Sequence, residues 1–241
     1  MYKNYIFDLY GTLVDIHTNE GKAYLYKKMA GIYSAMGARY TYSEWKAAYR
    51  LACKRRKEAN ANPYYELEIR EVFEELFSNK GILASEAQIQ VICHAFRVLS
   101  RDYLKLYDGV EEFFESCKEK GKRVYLLSNA QASFTVGELK ELGLYEKFDG
   151  IIISSDVSVC KPDKTIMEKL LSKYQLKKED SIMIGNDRTS DIMIAKNCGM
   201  DSLYIHSNIS PGSYTVEEKK IVAEYEILDG DFKKVKELIL K

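Results

Sequence analysis

The sequence predicts an α/β fold, a doubly wound parallel sheet interrupted after its first strand by an all-α helical bundle. Three observations predict it. An apolar run, Tyr5 to Phe7, ends abruptly in Asp8 and then Gly11, the pattern of a buried parallel strand that delivers a residue to the ligand-binding end of an open sheet. After Val14 the apolar spacing turns helical and stays so to about Leu104. From Asp108 onward helical and strand-like segments alternate, the rhythm of a parallel sheet covered on both faces. The expected division is a sheet unit from residues 1–14 and 105–241, with a helical unit over 15–104.

Each element has its own signal. In the helical unit Tyr26, Met29, Tyr33 and Met36 recur at helical spacing. Thr41 and Glu44 form a capping box ahead of Trp45, Tyr49 and Ala52. Asn60-Ala-Asn-Pro63 breaks the pattern. Leu67 to Phe77 is a third amphipathic segment, and Ser85 with Gln88 opens a fourth that carries Ile89, Ile92, Phe96 and Leu99. In the sheet unit, helices are expected over Val110 to Lys118 and Phe134 to Leu142, the latter closed by Gly143. Strands are expected at Arg123 to Leu127, Gly150 to Ser154, Ser181 to Ile184, Ser202 to Ile205 and Tyr225 to Leu228, before a last helix.

Composition narrows the function classes. Lysine plus arginine and aspartate plus glutamate number 36 each, so no bulk field draws the chain to nucleic acid or an anionic membrane. The five cysteines are scattered without a Cys-x-x-Cys pair, which fits free thiols in a reducing, cytoplasmic setting. The first strand begins almost at once, without a basic-then-apolar leader, and no apolar run approaches a membrane span. A small-molecule partner is expected, with no nucleic acid and no membrane, the chain acting as a monomer or homodimer.

Four short segments fall where core strands end: Asp8-Leu-Tyr10-Gly11-Thr12, Ser128-Asn129, Cys160-Lys161-Pro162-Asp163 and Gly185-Asn186-Asp187-Arg-Thr-Ser-Asp191. Singly, each reads as a turn or a helix cap. In this order, each after an expected strand, they resemble the four motifs of the haloacid dehalogenase superfamily, and the resemblance covers essentially the whole chain. It implies a Rossmann-like core with a helical cap over the active site. It implies that Asp8 is a covalent nucleophile, that Tyr10, Gly11, Thr12, Asn129 and, from the cap, Lys46 line the substrate, and that the Ser128 hydroxyl binds a substrate oxygen. Lys161 would neutralise nucleophile and substrate anion. Magnesium would sit on Asp8, the Tyr10 carbonyl and Asp187, with Asp191 four residues on near the same face. In some members of the superfamily the first acid of the last motif lies one position earlier, where this chain has Asn186.

Tyr10 departs from the superfamily's phosphatases, which carry there a second Asp as general acid/base. The superfamily's 2-haloacid dehalogenases have Tyr, and a departing halide needs no proton. An alkoxide leaving a phosphate ester does, and losing the acid costs roughly 10²–10⁴ in rate. The acid-rich last motif points the other way, because it would repel a haloacid's carboxylate. Those dehalogenases also place Arg after a cap Trp to grip that carboxylate; Trp45 is followed by Lys46, which lacks the bidentate fork. The expected activity is therefore a magnesium-dependent phosphatase of a small phosphorylated metabolite, working through an aspartyl-phosphate. The alternatives are a metal-independent 2-haloacid dehalogenase, a phosphonate hydrolase using a cap lysine, and a catalytically weak ligand-binding relative. If another group supplies the missing proton, Asp15 is a candidate. His17, His94 and His206 show no metal-ligand spacing, and Lys54-Arg55-Arg56-Lys57 reads as a solvated helix face.

Overall fold

A computed structural model of the chain describes residues 2–240. The first strand, β1 (Asn4–Phe7), is buried throughout and occupies the middle of a six-stranded parallel sheet. Its neighbours are β4 (Arg123–Ser128) on one side and β6 (Ser181–Gly185) on the other. Outward lie β5 (Gly150–Ile153) beyond β4, then β7 (Asp201–Ile205) and β8 (Tyr225–Ile227) beyond β6. Phe7 stands in register with both Leu126 and Ile184. The carboxyl ends of three adjacent strands therefore finish together, and the residues just after them share one crevice.

Helices α5 (Val110–Glu119), α6 (Ala132–Glu141), α8 (Lys164–Lys173), α9 (Met193–Cys198) and α10 (Lys233–Ile239) accompany the sheet. A short α7 (Ser154–Val157) follows β5. One core holds Phe7, Phe113 and Phe232 in contact, with edge-to-face pairs at 5.4 and 5.9 Å. A second holds Ile6, Leu127, Met183 and Ile194. Alternation along β1 sends Tyr5 and Phe7 to one and Ile6 to the other, as a strand covered on both faces requires.

Between β1 and β4 the chain forms α1 (Ala23–Ala35), α2 (Tyr42–Glu58), α3 (Ile69–Ser78) and α4 (Glu86–Ser100). Both expected capping boxes are present. The four helices enclose their own aromatic core, in which Trp45 stacks on Tyr49 at 5.2 Å and Tyr33 on Phe77 at 4.3 Å. Phe134 of α6 reaches into this core and stacks on Phe96.

Two features differ from the sequence expectation. The chain does not turn helical directly after Val14. It forms β2 (Val14–Thr18), which pairs antiparallel with β3 (Arg101–Leu106) as a separate two-stranded ribbon. Both connections to the helical unit run through this ribbon, and the expected boundaries at 14/15 and 104/105 cut through it. The second difference is a π-turn over Arg188–Ile192, directly after the Asn186-Asp187 pair.

Candidate active site

Asp8 follows β1 directly, and its amide donates to the Ile184 carbonyl at 2.9 Å, which extends the sheet by one bond. The chain then doubles back: Leu13 and Val14 both donate to the Leu9 carbonyl at 2.9 Å. Gly11 makes the turn possible, with φ at +89°. A Cβ there would come within 2.2 Å of the Asn186 amide nitrogen, so only glycine admits this approach.

Lys161 closes the site from the β5 side. Its ammonium is completely buried and donates at 2.7 Å to Asp8 Oδ1, to Asp191 Oδ1 and to the Leu127 carbonyl. Burial alone would depress its pKa, but Asp191 and Asp8 raise it to about 12, so it is a fixed cation. Burial pushes the Asp191 carboxyl up to about 7, against the pull of Lys161 and with Asp8 adding to the rise. Asn129 holds the lysine's main chain: its Oδ1 accepts from Lys161 N at 2.7 Å and its Nδ2 donates to Lys161 O at 3.1 Å. Ser128 ends β4 with its hydroxyl buried and without a hydrogen-bond partner. An orphaned buried hydroxyl carries a cost that an arriving oxygen would relieve.

After β6, Gly185 lets Asp191 fold back, since a Cβ would lie 2.3 Å from that side chain. Asp191 Oδ2 accepts from the Asp187 amide at 3.0 Å. Asp187 Oδ1 accepts from both the amide and the hydroxyl of Thr189 at 2.8 Å, capping the π-turn. The side chain that faces the Asp8 loop is Asn186: the Thr12 hydroxyl stands 3.4 Å from Asn186 Oδ1 and 3.4 Å from Asp8 Oδ2.

The structure thus brings together Asp8, Thr12, Lys161, Asp191 and, through backbone, Gly11 and Asn129. Several of these residues carry contacts that the sequence did not show. Asn129 positions Lys161. Asp191 spends one oxygen on Lys161 and the other on a backbone amide. Asp187 spends one on its own turn. Lys46 lies in the helical unit with its ammonium over the rings of Tyr26 and Tyr42, at 5.3 and 5.8 Å. Asp15 lies on the ribbon, bonded to Tyr103, Asn208 and Lys105. Burial pushes its carboxyl up, but those partners outweigh it and hold it below the ordinary range, which unsuits it to donate a proton at neutral pH.

The Tyr10 hydroxyl is bonded to α6: it donates to Glu138 and stands 3.1 Å from the Thr135 hydroxyl. Glu138 also receives Arg97 of α4 in a fork, at 2.7 and 3.1 Å, and Arg101 at 3.4 Å. Burial and Glu138 raise the Tyr10 pKa. Arg97 and Glu138 are the residues that sequence reasoning missed, and a polar pair 41 positions apart leaves no local pattern.

The donor set does not fit the magnesium site that the superfamily resemblance implies. The side chain beside Asp8 is the neutral Asn186, Asp191 is consumed, and magnesium sites use carboxylate oxygens.

A family model described as haloacid dehalogenase-like hydrolase matches residues 2–199. The chain belongs to this family. Among curated proteins, the glyceraldehyde 3-phosphate phosphatase of Methanothermobacter thermautotrophicus is 30% identical over 122 residues, 51% of this chain and 53% of that protein. The chain spans about half the length of the first curated relatives it matches. Among solved structures, a 2-haloacid dehalogenase from Pseudomonas syringae pv. Tomato is 18% identical, with 100% of this chain and 99% of that one covered and a TM-score of 0.67. The hydrolase YfnB of Bacillus subtilis, solved with bound magnesium, is 18% identical over 99% and 98% of the two chains, with a TM-score of 0.57. At this identity the structures share the fold of this family member. Among the described residues no helix is long and apolar enough to cross a membrane.

Proposed function

We propose that this family member is a phosphatase acting on a small phosphorylated metabolite, with Asp8 as nucleophile. The observation that carries the reading is the Asp8–Lys161 pair at 2.7 Å, at the sheet's ligand end. The name of the curated relative above favours phosphorus over carbon as the atom attacked. Lys161 ties down Oδ1 and leaves Oδ2 to attack. The P–O bond to the leaving group breaks as the Asp8 O–P bond forms, giving an aspartyl-phosphate and an alkoxide that takes its proton from water. Ser128 donates to a phosphoryl oxygen, and Lys161 offsets the charge gathering at the site. Water then attacks the phosphorus, releasing inorganic phosphate and restoring the Asp8 carboxylate. Tyr10, whose hydroxyl is committed to Glu138, does not serve as acid for the leaving group.

Residues 1–14 and 105–241 serve in this reading as the catalytic core, and 15–104 as a cap that selects substrate. Cytoplasmic residence, as a monomer or homodimer, goes with it. The 2-haloacid dehalogenase is the second reading, and one observation favours it: the side chain of the last motif that faces the Asp8 loop is the neutral Asn186, so an anionic haloacid would meet less repulsion there than from a carboxylate.

A substrate panel decides between them. Nitrophenyl, acyl and alkyl phosphates, a phosphonate and 2-chloropropionate would be assayed for phosphate and halide release, with and without magnesium. The phosphatase reading expects phosphate release from the activated esters. Halide release alone overturns it in favour of the dehalogenase, and binding without turnover on any compound overturns it in favour of a ligand-binding relative.

A further inference from the structure

We infer that Asn186 removes the carboxylate through which a divalent cation would be held against Asp8, so that Asp8 rests on the Lys161 ammonium in place of a cation. The inference rests on the reading of Asp8 as the reacting centre, but its test reads metal binding and not turnover.

Three acids or amides follow β6, and the structure gives each a different task. Asp191 is completely buried with both oxygens engaged, one by the Lys161 ammonium at 2.7 Å and one by the Asp187 amide at 3.0 Å. Turning it toward a cation would strand Lys161 and an amide together. Asp187 holds the π-turn through two bonds of 2.8 Å from Thr189 to the same oxygen, so its orientation is set by the turn. Asn186 is the side chain left to face the nucleophile. It is buried, it fills the space that a Cβ on Gly11 would take, and the Thr12 hydroxyl bridges the gap between it and Asp8 at 3.4 Å to each. Its Nδ2 faces Ser207 and Ser210, at 3.5 and 3.4 Å.

Lys161 lies within direct hydrogen-bond distance of both Asp8 and Asp191. A cation entering beside Asp8 would find one carboxylate already paired with an ammonium, and a neutral amide where a second carboxylate is needed. Magnesium sheds water reluctantly and for full charges. Asn186→Asp supplies the missing charge without changing the side chain's shape, so one atom's exchange should create the metal requirement.

The experiment is calorimetric titration of the full-length protein with magnesium chloride and with manganese chloride. It compares wild type, Asn186→Asp, Asn186→Asp combined with Asp8→Asn, and Asp187→Ala. We expect weak binding by wild type and binding roughly 10–100-fold tighter by Asn186→Asp, with the gain lost when Asp8 is also changed. Thermal melts give a second readout, in which magnesium raises the Tm of Asn186→Asp and leaves that of wild type in place. Tight binding by wild type that disappears in Asp187→Ala overturns the inference and returns the second acid to Asp187. Unchanged affinity in a folded Asn186→Asp overturns it equally. If that variant does not fold, the wild-type titration decides alone, since submillimolar magnesium affinity contradicts the inference and its absence supports it. A chain that turned over no phosphate would sink the proposed function and leave this result standing.

Discussion

Lys161 has three protons and three acceptors, all at 2.7 Å and all buried. The ammonium is therefore fixed, and what fixes the backbone beneath it is Asn129. Asn129→Ala should lower kcat about tenfold with a smaller change in KM, because a displaced cation serves the transition state more than binding; steady-state kinetics on the best substrate checks it. Asp8→Asn should cost roughly 10⁴-fold or more, as loss of a covalent nucleophile does. Tyr10→Phe should leave kcat within a few-fold and lower stability by about 1.5–3 kcal/mol, the worth of a bond to a charged acceptor. A Tyr10→Phe enzyme that loses most of its activity would mean that the hydroxyl reaches the substrate after all. Asp8 and Lys161 were legible in the sequence because each follows an apolar strand with a glycine or proline close by. The division of labour among Asn186, Asp187 and Asp191 was not, because spacing shows which residues share a turn and not which oxygens the turn itself consumes.

At the scale of elements, the strands and helices of the sheet unit were legible almost to the residue, since apolar runs buried on both faces alternate there with capped helices. The ribbon was not. Val14–Thr18 and Arg101–Leu106 are short, interleave charged residues with apolar ones, and pair across the whole helical insertion, so neither carries a local strand signal strong enough to interrupt the helical pattern beside it. Asp15 is the ribbon's inward polar anchor, and its carboxyl accepts from Tyr103 at 3.1 Å and Asn208 at 2.9 Å. Because its folded pKa lies below the unfolded one, the stabilisation it gives is complete above roughly pH 4 and drains away as pH falls through the folded value. Asp15→Asn should be less stable than wild type at pH 7, with the gap closing at acid pH. Parallel denaturation curves at pH 7 and pH 3 check this; a gap that is constant or widens with acid would rule the charge out as the cause.

The whole molecule is joined across the seam between sheet and helices at two places besides the ribbon. On one side the segment after Pro63 lies along the chain that leads into Lys161. Tyr65 pairs with Val159, Cys160 N donates to Tyr64 O at 2.8 Å, and Glu66 accepts from Gln131 and Ser154 at 3.0 Å. On the other side Arg97 forks onto Glu138 with Tyr10 and Arg101 attached, its guanidinium 5.5 Å from the rings of Tyr10 and Phe134. Asp8, only 8% exposed, lies on the chain segment that carries Tyr10. The Arg97–Glu138 pair is nearly dry, at 13% and 4% side-chain exposure, and a buried pair loses most when one partner is left alone. Arg97→Met or Glu138→Gln should each destabilise the protein by about 3–5 kcal/mol. The double variant should lose clearly less than the sum, because the second change removes the charge that the first had orphaned. Urea denaturation of the four proteins closes the cycle. Hydrogen exchange adds the spatial readout: amides of α4 and α6 should exchange faster in either single variant, while those of β4 and β6 stay protected. Strict additivity in the cycle would mean that the two side chains act separately, and the seam on that side would then be held by Phe134 in the aromatic core and not by charge.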